Sequence, residues 1–160
     1  MTAGRIHCLT ASTLVCMIGI FLFTFAPCRG AQSKPYSDDQ VVETLSINEM
    51  EDVLEAEGYT DYELGEDTII LKMDDTKVLM IFPDKRNSIQ MVALFDYNTT
   101  LEKVNEWNKN YKYAKIYLDE DNDMVLELDL DLTGGVTIAR VKDFLLTFKV
   151  VLTAFYDEDW

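Results

Sequence analysis

The sequence is poor in the residues that many enzymes use for nucleophilic or metal chemistry. Its three cysteines and its one histidine all lie near the start of the chain, at Cys8, Cys16, Cys28 and His7. The chain after residue 30 therefore has no thiol and no imidazole. This excludes a disulfide, a Ser-His-Asp triad, a Cys-His pair and a His-ligated zinc from that part of the chain. A domain there must be stabilised by an ordinary hydrophobic core.

Charge is also missing near the start. No charged residue occurs between His7 and Arg29, and every residue from Leu14 to Phe25 is apolar, glycine or threonine. A weakly basic start, an apolar run and small residues before Ala31 are typical of a secretory signal peptide. We therefore predict a signal peptide over residues 1–30 and export of the chain to the periplasm.

Two alternatives to a cleaved signal peptide remain open. An uncharged stretch of about 18 to 20 residues is just long enough to span a bilayer, so the segment is also compatible with an uncleaved inner-membrane anchor. A lipoprotein needs a small residue before the acceptor cysteine, and Pro27 before Cys28 fits that pattern poorly. The sequence predicts membrane contact only if the leader is not cleaved.

The remainder of the chain is strongly acidic. The leader contains two arginines and no acidic residue, so 12 basic and 29 acidic residues remain after residue 30, a formal charge of −17. Such a charge repels nucleic acid and anionic lipid, and it attracts cations and basic partners. We therefore expect no nucleic-acid partner. The charge is equally compatible with a surface that only keeps the protein soluble.

The pattern after the leader predicts a polar linker over 31–45 and one domain over 46–160. Ser46 followed by Glu49, and Thr99 followed by Glu102, are capping-box patterns that start helices, and Thr137 is a good N-cap for a last helix. Alternating apolar stretches between these helices predict strands. The predicted order is α-βββ(β)-α-ββ-α, an α+β fold with an antiparallel sheet and flanking helices.

Four stretches in the second half of the chain resemble a known family. They are Asn105-Glu106-Trp107-Asn108, the run from Tyr113 to Asp119, the run from Val125 to Leu132, and Gly134-Gly135-Val136-Thr137. In this order and spacing they resemble the YbjN-like domains, a bacterial family labelled as sensory-transduction regulators. The resemblance implies the fold of type III secretion chaperones, whose members dimerise and hold client chains. It implies no enzymatic reaction.

The second strand of the last predicted hairpin carries a row of acidic side chains. Leu126, Leu128, Leu130 and Leu132 alternate with three carboxylates, which therefore share the opposite face about 7 Å apart. These are Glu127, Asp129 and Asp131. The row is interpreted either as a solvated sheet face or as a surface for a basic partner. A cation site and a pair of catalytic carboxylates are further readings.

The predicted turn before this strand resembles the start of a calcium loop. Asp119, Asp121 and Asp123 have the right spacing, but a calcium loop also needs glycine at its sixth position and glutamate at its twelfth. Those positions hold Met124 and Leu130. We therefore interpret the segment as an acidic turn and predict no metal site.

Trp107 and the last helix are the remaining candidates for binding. Trp107 shares a helix face with apolar residues, so it is predicted in the core, or else lining a ligand pocket. The adjacent Asn105, Glu106 and Asn108 are predicted to cap the helix or tie it to the sheet. The last helix is apolar nearly all round, and its stripe includes Phe144, Phe148 and Leu152. A helix of this kind predicts an additional contact, either a homodimer or a bound client segment.

Together these patterns predict an exported, non-enzymatic protein-binding module without a cofactor, with an unknown protein partner and a chaperone-like or regulatory role. A small-ligand or cation sensor that uses the acidic strand is the alternative. A carboxylate-based hydrolase is a third hypothesis.

Overall fold

A computed structural model describes residues 36–160, so the predicted leader lies outside the described residues. The described part contains three helices, α1 (Ile47–Ala56), α2 (Leu101–Asn110) and α3 (Ile138–Tyr156). Its strands are β1 (Val41–Val42), β2 (Tyr62–Leu64), β3 (Thr68–Met73), β4 (Thr76–Ile81), β5 (Ser88–Phe95), β6 (Lys115–Leu118), β7 (Met124–Asp131) and β8 (Val136–Thr137). The predicted α+β order is confirmed, with two further short strands, β1 and β8. Within the described residues, no helix has the length and apolar character needed to cross a membrane.

Six of the strands form one antiparallel sheet. Their order is β2-β3-β4-β5-β7-β6, so the chain crosses through α2 to the edge strand β6, and β7 then returns between β5 and β6. The predicted hairpins are both present: Met73 pairs with Thr76 across the first turn, and Leu118 pairs with Met124 across the second.

The sheet has an inner face that forms the core and an open face on its other side. Alternate residues of each strand point to the inner face, where Ile69, Leu71, Met80, Met91 and Leu126 are fully buried. The helices pack there, since Phe155 of α3 contacts Phe95 with ring centroids 4.3 Å apart. Tyr62 of the inner face also donates to Glu51 and Glu55 of α1. The core thus lies between the helices and one side of the sheet.

The helix boundaries follow local side-chain chemistry. Ser46 caps α1 through the backbone N–H of Glu49, and the Glu49 carboxylate accepts from the Ser46 backbone at 2.8 Å, which confirms the first capping box. The helix ends at Ala56, and Gly58, just beyond it, has a φ of +84° that suits glycine; the Tyr59 N–H then donates to the Leu54 carbonyl. This arrangement satisfies carbonyls that the last turn would otherwise leave unpaired.

The other two helices also start at threonine side chains. Thr137 caps α3 as predicted and accepts from the Arg140 N–H at 3.2 Å. The cap of α2 was predicted one residue too early. Thr100, not Thr99, accepts from the Lys103 N–H, because the helix begins at Leu101.

The segment predicted as a linker differs from that prediction where the structure describes it, from residue 36 to residue 45. Val41 and Val42 pair with Thr137 and Val136 in a small second sheet, and Leu45 is fully buried. Gly135 allows this pairing, because a Cβ there would lie 2.7 Å from a Val41 methyl group. Paired backbone and a buried leucine attach this stretch to the domain, although its sequence is polar.

Candidate functional site

The acidic row on β7 divides into one buried and two exposed carboxylates. Alternation was predicted correctly, since Glu127, Asp129 and Asp131 all lie on the open face. Glu127, however, is only 5% exposed, while Asp129 and Asp131 are exposed. The interpretation of the row as a solvated sheet face is therefore wrong for Glu127, because neighbouring strands place side chains against it.

Glu127 is the centre of a polar network across three strands. Its carboxylate accepts from the Lys115 ammonium at 2.7 Å, from the Gln90 amide at 2.7 Å and from the Tyr117 hydroxyl at 2.8 Å. Burial raises the pKa of this carboxyl, but the three donors outweigh burial and hold the pKa below its usual value. Glu127 is thus a stably ionised group that already accepts three hydrogen bonds, which leaves little capacity to ligate a cation.

The pKa values of the two exposed carboxylates of the row are shifted in opposite directions. Burial and the nearby charge of Glu127 raise the pKa of Asp129. The Thr133 backbone N–H donates to Asp131 at 2.8 Å and lowers the pKa of that carboxyl. Both side chains remain available at the surface.

The open face also carries a continuous group of apolar side chains, here called the apolar band. The strand register places it diagonally from β3 to β6. Ile70 is 38% exposed, Leu94 56% and Tyr117 39%. The band consists of Ile70, Leu79, Ile81, Val92, Leu94 and Tyr117, together with Val125, which pairs in register with Leu94 and Tyr117 and is only 4% exposed. An exposed apolar surface of this kind is characteristic of an interaction site.

Charges of opposite sign flank the apolar band. On one side Lys72 and Lys77 are directly opposite each other across β3 and β4. On the other side lie Asp129, which pairs in register with Gln90, and Asp131. The open face therefore has a basic corner and an acidic corner separated by apolar side chains.

The stripe predicted on the last helix lies in the core. Phe144, Phe148 and Leu152 are at most 2% exposed, because α3 packs this stripe against the inner face of the sheet. They do not form a surface in the described chain. The large apolar residues that α3 leaves exposed are Leu146 at 58%, Val150 at 60% and Tyr156 at 49%.

Trp107 is also a core residue, and its neighbours leave only a small cleft. It is 3% exposed, and its ring stacks on that of Tyr111 with centroids 4.6 Å apart. The adjacent cleft measures about 190 Å³ and is lined mainly by polar side chains and Trp160. Asn108 ties α2 to the sheet: its side-chain amide donates to the Ile116 carbonyl and accepts from the Ile116 N–H, both at 2.9 Å.

The acidic turn between β6 and β7 is organised by its own first residue. The Asp119 carboxylate accepts from the backbone N–H groups of Asp121 and Asp123, both at 2.9 Å. Across residues 36–160, no cluster of three or more acidic, histidine or cysteine side chains has the arrangement of a metal site.

Comparison with known proteins agrees with this architecture. A family model for YbjN, described as "Putative bacterial sensory transduction regulator", matches residues 46–159. The chain belongs to the YbjN family. The fold is similar to the crystal structure of YbjN from E. coli, described as a putative transcription regulator, with 17% identity and a TM-score of 0.56. That match covers 70% of this chain and 91% of the E. coli chain. No curated protein sequence matched.

At this low identity the E. coli structure shows a common fold and leaves the function of the chain open. The four stretches that carry the resemblance in the sequence lie mainly in α2, β6, β7 and β8, whereas the family match over residues 46–159 also includes β3, β4 and β5 of the apolar band. The sequence did contain a signal for the band. Ile69-Ile70-Leu71 and Val78-Leu79-Met80-Ile81 are apolar on both faces of their strands, which indicates a second contact surface.

Proposed function

We propose that this YbjN-family chain is a non-enzymatic protein-binding module that holds a partner protein on the open face of its sheet. The observation that supports this most strongly is the apolar band, since Ile70, Leu94 and Tyr117 remain substantially exposed on a regular sheet. Burying apolar surface is worth about 25 cal/mol per Å², so covering these side chains would stabilise a complex.

The chemistry of the face agrees better with binding than with catalysis or cation sensing. The buried carboxylate of Glu127 already accepts hydrogen bonds from Lys115, Gln90 and Tyr117. In the described part of the chain Asp129 and Asp131 belong to no metal-binding cluster, so they are a weak basis for a designed cation site or a hydrolase. A partner that combines apolar and basic side chains would match Leu94, Asp129 and Asp131.

The test compares two exposed leucines in the full-length tagged chain. Leu94 lies in the apolar band and is 56% exposed, and Leu101 lies on α2 and is 62% exposed. We expect Leu94→Asp to lower recovery of the partner at least tenfold in a pull-down from the native cells. Leu101→Asp should leave recovery unchanged. Equal recovery with both variants would contradict the use of the open face.

A homodimer through the last helix is a second part of the proposal, on different residues from those first predicted. Leu146 and Val150 are four residues apart on the exposed side of α3, so they form an apolar strip. A paired change of both to aspartate should convert a dimer to a monomer in sedimentation equilibrium. A wild-type chain that sediments as a monomer would refute the dimer without affecting the open-face proposal.

Export is the remaining part of the proposal and depends only on the sequence of residues 1–30. We expect alkaline phosphatase fused after Trp160 to be active, because this enzyme needs the oxidising periplasm. Replacing Leu14 and Ile18 with arginine should abolish that activity by interrupting the apolar run. Activity that survives these changes would contradict export by the leader.

A further inference from the structure

We infer that the partner segment on the apolar band is an amphipathic α-helix with basic side chains along one edge and acidic side chains along the other. This inference rests on the proposed function and adds the conformation and charge pattern of the partner. Three independent features of the open face lead to it.

The first feature is the shape of the band. It crosses four strand-to-strand steps, from Ile70 on β3 to Tyr117 on β6. Strands lie about 4.8 Å apart, so the band is about 19 Å wide. A helix rises about 1.5 Å per residue, so about 13 residues would cover it. That is a common length for a helix in a globular protein.

The second feature is that the open face presents no backbone N–H or C=O groups that could pair with the backbone of a bound segment. A sheet face presents side chains, so an extended segment lying across it would bury N–H and C=O groups with few partners, which costs free energy. A helix satisfies these groups internally. The sheet edges also offer little to an added strand: β2 has three residues, and Asn108 occupies both backbone groups of Ile116 at the β6 edge.

The third feature is the charge on the two flanks. Lys72 and Lys77 are directly opposite each other, an arrangement that destabilises a sheet when no anion is near. Asp75 lies 3.8 Å from Lys72, in a pair whose members are both well exposed and therefore weakly coupled. Carboxylates on one edge of a partner helix would remove this repulsion. Lysine or arginine on its other edge would meet Asp129 and Asp131.

The experiment measures how many residues of the partner's sequence separate the contacts made by two positions of the band. A photoreactive amino acid replaces Ile70 in one full-length variant and Leu94 in another, and the crosslinked partner residues are identified by mass spectrometry in native cells. The register places these two positions about 12 Å apart. On a helix this corresponds to about eight residues of partner sequence, whereas on an extended segment it corresponds to about four.

A separation of seven to nine residues, in a segment with charges of opposite sign on its two edges, is the expected result. A separation of three or four residues would overturn the helix while leaving the proposed function intact. Crosslinks to a second copy, or to residues 1–35 of the same chain, would overturn the choice of partner. A Leu94 probe that captures no more than the same probe at Leu101 would refute the proposed function itself.

The proposed charge pattern of the partner is tested separately, by reversing the charges on each flank of the band and measuring crosslinking. Lys72→Glu combined with Lys77→Glu should reduce crosslinking from Leu94 at least fivefold, and Asp129→Lys combined with Asp131→Lys should do the same. Crosslinking that persists in both charge-reversed chains would refute complementary edges. Far-ultraviolet circular dichroism of each variant checks that the fold is retained.

Discussion

The two faces of the sheet are made by the same strands, yet their neighbouring residues have different surroundings. Ile69 is fully buried and Ile70 is 38% exposed, and Ala93 is fully buried beside Leu94 at 56%. Isoleucine occurs on both faces, so apolar character alone does not distinguish them. The difference is that helices pack on the inner face. The inner face stabilises the fold, and the open face is available for a different use.

The largest expected effect on stability comes from truncating a core side chain that packs against the inner face of the sheet. Phe148→Ala removes a fully buried ring and should lower the free energy of unfolding by about 3–5 kcal/mol. Leu94→Ala on the open face should change it by no more than about 0.5 kcal/mol. Urea unfolding of both variants checks this difference. Similar losses would show that the open face is also part of the stabilising core.

Glu127 is the open-face residue with the strongest expected effect on stability. Glu127→Gln keeps the shape but weakens the charged hydrogen bonds from Lys115 and Tyr117, and we expect a loss of about 1–3 kcal/mol. Asp131→Asn is the matched control on the same strand and should stay within about 0.5 kcal/mol. Chemical denaturation at neutral pH measures both. A neutral Glu127→Gln change would contradict the polar network.

The same network predicts how stability changes with pH. The pKa of Glu127 is lowered below its ordinary value of 4.5, so its contribution is present above that value. It is lost as pH falls through the lower pKa of the folded chain. The pKa of Asp129 is raised, which has the opposite sign and partly offsets this loss.

The stability difference between the wild-type chain and Glu127→Gln should therefore be largest near neutral pH. It should shrink as pH falls below the ordinary value of 4.5 and through the lower pKa of Glu127 in the folded chain, because the carboxyl then becomes protonated. Urea unfolding at several pH values checks this. A difference that stays constant down to pH 3 would exclude ionisation of Glu127 as its source.

The smallest expected effect is a gain in stability, whereas the changes above lower it. Lys77→Glu replaces the repulsion with Lys72 by an attraction and should stabilise the isolated chain by about 0.2–1 kcal/mol. Lys112→Glu makes the same change in net charge at an exposed position outside the sheet. A gain for Lys77→Glu over this control, measured by urea unfolding, would show that the open face is not optimised for stability.

Much of the fold was predictable because its signals are local. The Ser46–Glu49 pair, Thr137 and the alternation of β7 are read within a few residues. The cap of α2 was missed by one position, because Thr99 and Thr100 are adjacent and both offer a hydroxyl. The capping-box spacing of Thr99 and Glu102 favoured Thr99, but α2 begins one residue later.

The errors at the candidate site have a different origin. The alternation placed Glu127 on the correct face, but it did not reveal that Lys115 and Gln90 reach it from neighbouring strands. The apolar stripe of α3 that includes Phe148 was predicted to contact a partner, but it packs in the core of the chain itself. Both outcomes depend on contacts between residues that are distant in the sequence. One strand or helix taken alone does not determine these contacts.

The Asn108 amide has a consequence for how the protein behaves at high concentration. A free sheet edge is a template for strands of other molecules and is a common starting point for aggregation. Asn108 imitates a neighbouring strand at Ile116 and so ends the sheet at that edge. For a chain that also exposes an apolar sheet surface, this one side chain is a safeguard against fibril growth.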